Sequence, residues 1–253
     1  MHHHAMAWAL LALAVPALPA LAEDPIATDR PDFVESSQTV GRGRIQVETS
    51  VAWEKAGQAE LTSTPSLLRM GVSEQWELRL ETDGWLRTGG LAERASGMAD
   101  LSVGAKYHVT DTDDAGPSLA WLIHADLPTG KDAFRGHGTR PSLRLVAEWE
   151  LPQDYSLGLM PGVIRDSNES GDRYTAGIFG LVVGKAWNDR VRSFAEVAMP
   201  QIAGGRNGGT VAVLDLGSAW LLSNDVQVDV AYSAGLNDNA PDHALTVGLS
   251  ARF

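Results

Sequence analysis

Apolar and polar residues alternate one for one along most of this chain. In RIQVETSVAW, Ile45, Val47, Thr49, Val51 and Trp53 fall on one side, with Arg44, Gln46, Glu48 and Ser50 on the other. WELRLETD sets Trp76, Leu78 and Leu80 against Glu77, Arg79, Glu81 and Asp83. DLSVGAKYHV sets Leu101, Val103, Ala105 and Tyr107 against Asp100, Ser102, Lys106 and His108. The rhythm continues in SLAWLIHADL, with His124 and Asp126 polar, and in SLRLVAEWEL, with Arg144, Glu148 and Glu150 polar. VQVDVAYSAG repeats it around Asp229, and ALTVGLSARF carries it to Arg252 and Phe253. A period of two over about ten residues predicts β-strands, and the helical template fits none of these windows.

Weaker segments complete the set. STPSLLRMGV places Arg69 opposite Leu68 and Met70, and VRSFAEVAMP is in phase if Glu196 and Phe194 both point inward. YSLGLMPGVI and TVAVLDLGSAWLL alternate less cleanly, and YTAGIFGLVVGKAW is apolar on both faces, which leaves its register open. The count comes to about twelve strands of about ten residues, the length that crosses a membrane when tilted. The connections alternate too. VSEQ, PQD, NDR and SND are short and built from turn-forming residues, whereas DGWLRTGGLAERASGMA and PTGKDAFRGHGTR are long and rich in glycine and charge. The prediction is an all-β fold, a single antiparallel transmembrane up-and-down barrel.

Alternation alone does not say which face meets water. The aromatics do: Trp53, Trp76, Trp85, Trp121, Trp149, Trp187, Trp220, Tyr107, Tyr155 and Tyr232 lie at or near segment ends. Rings at strand ends form the girdles of membrane proteins, whereas a soluble core would centre them. The apolar face is therefore expected to meet lipid. The final strand, running to Phe253, is expected to pair with the first and close the ring.

Ahead of the strands, Ala7 to Ala22 is a short apolar run ending in Ala20-Leu21-Ala22. It reads as a signal peptide, residues 1–22, cleaved after Ala22. Residues 23–43 form an N-terminal leader or plug on the periplasmic side, and 44–253 the barrel. The expected location is the bacterial outer membrane, with outer-membrane lipid and the barrel assembly machinery as partners. The net charge of −12 argues against nucleic acid, whose binding requires cationic neutralisation of phosphates. The absence of Cys excludes thiolate chemistry and Cys-ligated metals, and no metal or organic cofactor is implied.

The inward-facing charges are the candidate site. Arg44, Glu48, Arg69, Glu77, Arg79, Glu81, Lys106, His124, Asp126, Arg144, Glu148, Glu196, Asp229 and Arg252 would line the lumen. They would either select permeants, with cations favoured by the excess of acids, or knit ion pairs that hold a narrow barrel rigid. Asp29, Arg30 and Asp32 in TDRPDF are plug candidates, on a segment that Pro31 keeps extended. Catalysis by His108 or His124 with nearby serines is the weaker reading, because the two histidines sit at different heights and no GxSxG or HExxH string is present.

Taken in order, ATDRPDF, SLLRMGVSEQWELRL, GMADLSVGAKY, ADLPTGKDAF, FAEVA and LDLGSAWLLSNDVQVDVAYSAGLNDNAPD resemble the small outer-membrane barrels assigned to transport in the MetA pathway of phenol degradation. The resemblance implies an outer-membrane channel or transporter for small-molecule solutes, including hydrophobic or aromatic compounds. The alternatives are an outer-membrane enzyme acting on lipids and a structural or adhesive surface barrel. A terminal Phe in phase with the last strand also resembles the signature by which outer-membrane proteins are inserted, which marks Phe253 as an assembly signal.

Overall fold

The computed structural model describes residues 24–90, 94–111, 116–168 and 170–253. The proposed signal peptide lies outside them. The regular structure of the described residues is almost entirely β: β1 (Ile45–Ala56), β2 (Ala59–Ser63), β3 (Ser66–Gly71), β4 (Trp76–Thr82), β5 (Trp85–Gly90), β6 (Ser96–Met98) and β7 (Leu101–Thr110) come first. They are followed by β8 (Ser118–Leu127), β9 (Arg140–Leu151), β10 (Tyr155–Ser167), β11 (Arg173–Asn188) and β12 (Val191–Ile202). The last are β13 (Val211–Ser223), β14 (Val226–Gly235) and β15 (His243–Arg252). Among the described residues, two single-turn 3₁₀ segments sit in the long loops.

Every pairing is antiparallel between neighbours, and β15 pairs back onto β1 from Gln46↔Arg252 to Lys55↔His243. β1, β3, β4 and β7 to β15 therefore close a ring of twelve strands, while β2, β5 and β6 continue β3, β4 and β7 beyond local breaks. The breaks have chemical causes. Pro65 has no N–H to give the ladder, so its carbonyl alone is used, accepting from Ser50. Gly84, at φ +70°, lets Thr64 approach so closely that a Cβ there would stand 2.1 Å from the Thr64 carbonyl oxygen. The stretch 83–99 was expected to be a loop. Trp85–Gly90 and Ser96–Met98 are instead strands that extend the wall above the ring, because the glycines read as loop signals sit in a hairpin paired with β2.

The polarity is that of a membrane barrel. Leu78, Ile123, Leu216 and Val247 are exposed on the outside, and the exposed aromatics Trp53, Trp76, Trp121, Trp187, Trp220, Tyr155 and Tyr232 border this band. Inside, Gln46, Glu48, Arg69, Glu77, Arg79, Lys106, His124, Glu196 and Asp229 are buried. The open register of β11 resolves with Ala176, Ile178 and Val182 inward and Leu181 and Val183 outward.

Candidate functional site

Something must occupy the lumen for these charges to be buried, and it is the leader. Ile26 N–H donates to the Asn224 carbonyl and Arg252 to that of Asp24, which ties the incoming chain to the β13–β14 turn. The segment then rises into the ring and returns to the same end, where the Thr39 hydroxyl donates to the Glu74 carbonyl in the β3–β4 turn. It is a loop inserted from the short-turn side.

The leader has no regular structure, so its backbone groups need other partners. The wall supplies them. Glu48 accepts from the Asp29 N–H at 3.0 Å, Glu148 from Ser37 at 2.6 Å and Glu77 from Val40 at 3.0 Å. Glu196 takes two, from Phe33 and Val34, both at 2.7 Å. Cationic and amide side chains meet the carbonyls. Arg69 and Gln46 donate to Ala27, Lys106 to Ser36, Arg69 again to Gln38, and Arg192 to Arg30. The barrel thus reads the leader largely through its main chain.

On the β1–β9 side the leader's own carboxylates complete a charge network. Asp29 meets Arg79 at 2.6 Å, Lys106 at 2.9 Å and Arg69 at 3.4 Å. Glu35 bridges Arg79 at 2.6 Å and Arg144 at 2.8 Å. Glu48 and Glu77 balance the remainder through Arg69, which holds Glu77 with two donors. Burial works against the Asp29 charge, but Arg69, Lys106 and Arg79 outweigh it and hold this carboxyl well below the usual range. Removing one partner from such a buried network leaves an uncompensated charge, which costs about 3–5 kcal/mol.

Apolar contacts from β8 to β14 hold the middle of the leader. Val34 packs into a cluster with Leu122, Val146, Met160, Val182, Phe194 and Ala231, and Phe33 lies against it. Gly180 makes the docking fit: a Cβ there would lie 2.6 Å from Val34 and 3.1 Å from Phe33. One short segment therefore presents both carboxylate and hydrocarbon to the wall: Asp29 and Glu35 to the cations of β3 to β9, Asp32 to Arg192, and Phe33 and Val34 to the apolar cluster.

The structure brings together Glu48, Arg69, Glu77, Arg79, Lys106 and Arg144 around Asp29 and Glu35, and sets Glu148, Glu196 and Asp229 elsewhere along the same leader. Arg30 pairs with Asp229 at 3.4 Å and Asp32 with Arg192 at 3.2 Å. His124 accepts a hydrogen bond from Arg79 Nε at 3.1 Å on its Nε2, so that nitrogen carries no proton. Glu81 stands 3.9 Å from the same imidazole nitrogen and remains partly exposed. Three candidates lie at the rims instead. Asp126 pairs with Arg140 near the long loops, Arg252 pairs with Asp225 in a short turn, and Arg44 sits just before β1, where its N–H donates to Gly41. The contacts made by Glu35, Val34 and Phe33 were not legible from the sequence, whereas Gln46 lies inward as its alternation predicts. Glu35 lies in a stretch without period, and nothing local tells a buried bridging carboxylate from a solvated one.

The fold is shared with solved structures. The COG4313 outer membrane channel from Pseudomonas putida F1 superposes with a TM-score of 0.65 at 15% identity, over 86% of this chain and 98% of that one. The NanC porin gives 0.60 at 13% identity, over 81% and 98%, and the KdgM porin 0.54 at 10%, over 82% and 99%. No curated protein matches the chain in sequence. The family described as "Putative MetA-pathway of phenol degradation" matches residues 28–253, from the leader to the last residue, and the chain belongs to that family.

Proposed function

We propose that the protein is an outer-membrane channel for small solutes, including hydrophobic or aromatic compounds, and that the leader is a built-in plug that narrows its lumen. The family's description supports the aromatic solute class, and the named channels and porins of the same fold support passage. The short turns and both ends of the barrel would face the periplasm, the long loops the exterior, and Phe253 would be read by the assembly machinery. Its backbone N–H donates to the Ile45 carbonyl at 2.7 Å, so the terminal residue joins the closing seam while its ring stays outside.

The observation that carries this reading is the position of the leader between two cavities. One of about 220 Å³ is lined by Asp29, Glu35, Glu81, Asp83, Arg79 and Arg144, the other, of about 680 Å³, reaches the short turns. Planar-bilayer recording tests it. Deleting residues 23–40 is expected to raise single-channel conductance, with cations preferred over anions. An unchanged current counts against a plug, and silence from both proteins counts against a channel.

A further inference from the structure

We propose that the outer face of the β10–β11 hairpin, at its long-loop end, binds the phosphate of a phosphorylated glycolipid of the outer leaflet, with Arg165 and Arg173 as its donors. The proposal rests on that end facing the exterior and does not depend on what the barrel conducts. Alternation puts Tyr155, Leu157, Leu159, Pro161 and Val163 of β10 on the outer face, and after them Arg165. On β11 the same face runs through Val183, Leu181 and Phe179 to Thr175 and Arg173. Two exposed guanidiniums therefore stand on the lipid side of the wall, whereas the buried Arg69 and Arg79 face the lumen and are paired with acids.

Their height decides what they meet. Arg165 lies ten residues beyond Tyr155. At about 3.3 Å per residue and a tilt of about 40°, that is a climb of about 25 Å, the full height of the apolar band of such barrels. Arg165 thus stands at headgroup level, and Arg173, opposite Ser167, one outward position above it. A cation halfway up the lipid face would be destabilising, whereas at this border it is tolerated and reaches headgroups. Trp53 and Tyr232 occupy the same border on other strands, so this hairpin carries cations where its neighbours carry rings.

Both side chains are oriented without being neutralised. Arg165 Nη1 donates to the Thr175 hydroxyl at 3.1 Å, and Arg173 Nη1 to the Thr139 carbonyl at 2.7 Å. Among the described residues, neither arginine forms an ion pair. Asp166 alternates to the lumen side, 3.9 Å from Arg140, and Asp172 belongs to the loop tip. Most of the guanidinium N–H groups stay open to a ligand, in the fork geometry that fits phosphate oxygens. Beneath them the wall offers hydrocarbon. Val163 is half exposed, and Ile202 of β12 lies over the bare backbone of Gly177, where a Cβ would come within 3.3 Å of it. An anion above an acyl chain is the order found in a phosphorylated lipid, and the outer leaflet of a bacterial outer membrane is built from glycolipids whose sugars carry phosphate.

The test is native mass spectrometry of the full chain in an uncharged detergent, titrated with lipid A carrying one phosphate. The double variant Arg165→Gln/Arg173→Gln is expected to bind it at least 10-fold more weakly than wild type, with the gel mobility of the folded barrel unchanged. Arg87→Gln, which removes another exposed cation, on β5, is expected to leave binding unchanged. The same glycolipid without its phosphate is expected to bind wild type no better than the phosphorylated one binds the double variant. Equal binding by wild type and double variant, an equal loss in Arg87→Gln, or full retention of the dephosphorylated lipid would overturn the proposal. Inorganic phosphate at the lipid's own concentration is expected not to displace it, and phosphatidylglycerol, whose phosphodiester carries a single charge, to bind more weakly. Displacement by the first would make this a site for free phosphate, and equal binding of the second an unselective attraction for anionic lipid; either result overturns the glycolipid assignment. Detergent micelles have no sides, so failure here removes the lipid site without touching the orientation or the conductance of the barrel.

Discussion

Glu196→Ala isolates the grip of the wall on the leader's main chain. The Glu196 carboxylate is buried, and its two oxygens accept from the consecutive N–H groups of Phe33 and Val34, both at 2.7 Å. A hydrogen bond to a charged group contributes about 1.5–3 kcal/mol, so the pair contributes about 3–6 kcal/mol before costs. Removing the carboxylate also removes a buried charge with Asp215 as its cross-strand neighbour, which returns part of that sum. A net loss of about 3 kcal/mol remains, equivalent to about two decades in the population of the undocked leader. Amide hydrogen exchange read on a peptide covering residues 29–36 measures this directly. The variant is expected to exchange about 100-fold faster there, with β10 and β11 unaffected. Glu196→Gln, which keeps one acceptor oxygen, is expected to fall between the two. Equal protection in wild type and Glu196→Ala would refute the claim that backbone recognition by wall carboxylates holds the leader in place.

Other perturbations address other contacts. Gly180→Val would drive Val34 and Phe33 off the wall, since even a Cβ would lie 2.6 Å from Val34, and is expected to raise conductance toward that of the deletion. Arg69→Met strips Asp29, Glu48 and Glu77 of a shared cation and is expected to destabilise the folded barrel by about 3–5 kcal/mol, read from the denaturant midpoint of its gel-mobility transition. Because the chain has no Cys, single cysteines at Leu78, Val103 and Leu145 can each carry a spin label. These labels are expected to be broadened by dissolved oxygen and shielded from aqueous nickel chelates, and the opposite result would turn the barrel inside out. Deleting Phe253 is expected to lower the yield of assembled barrel in cells while leaving the wall register of purified protein unchanged.

The barrel was legible in the sequence because lipid imposes a simple rule. Each strand must show hydrocarbon outward at every second residue, as Ile45, Val47 and Val51 or Val226, Val228 and Val230 do, and a period of two needs no knowledge of neighbours. The inward charges were legible for the same reason, as the complement of that face. β11 defeated the rule because both of its faces meet hydrocarbon: lipid outside, and Phe33 and Val34 inside. The leader defeated it altogether. Its groups bond to wall residues far away in sequence, Asp29 to Glu48 and Phe33 to Glu196, and it has no repeat of its own to betray a buried position. The sequence by itself determined most of the wall and, wherever the alternation is strict, which side chains face in. Only the closed ring decided what they face, because closure brings strands remote in the chain around one short segment, and burial there turns a list of charges into a paired network.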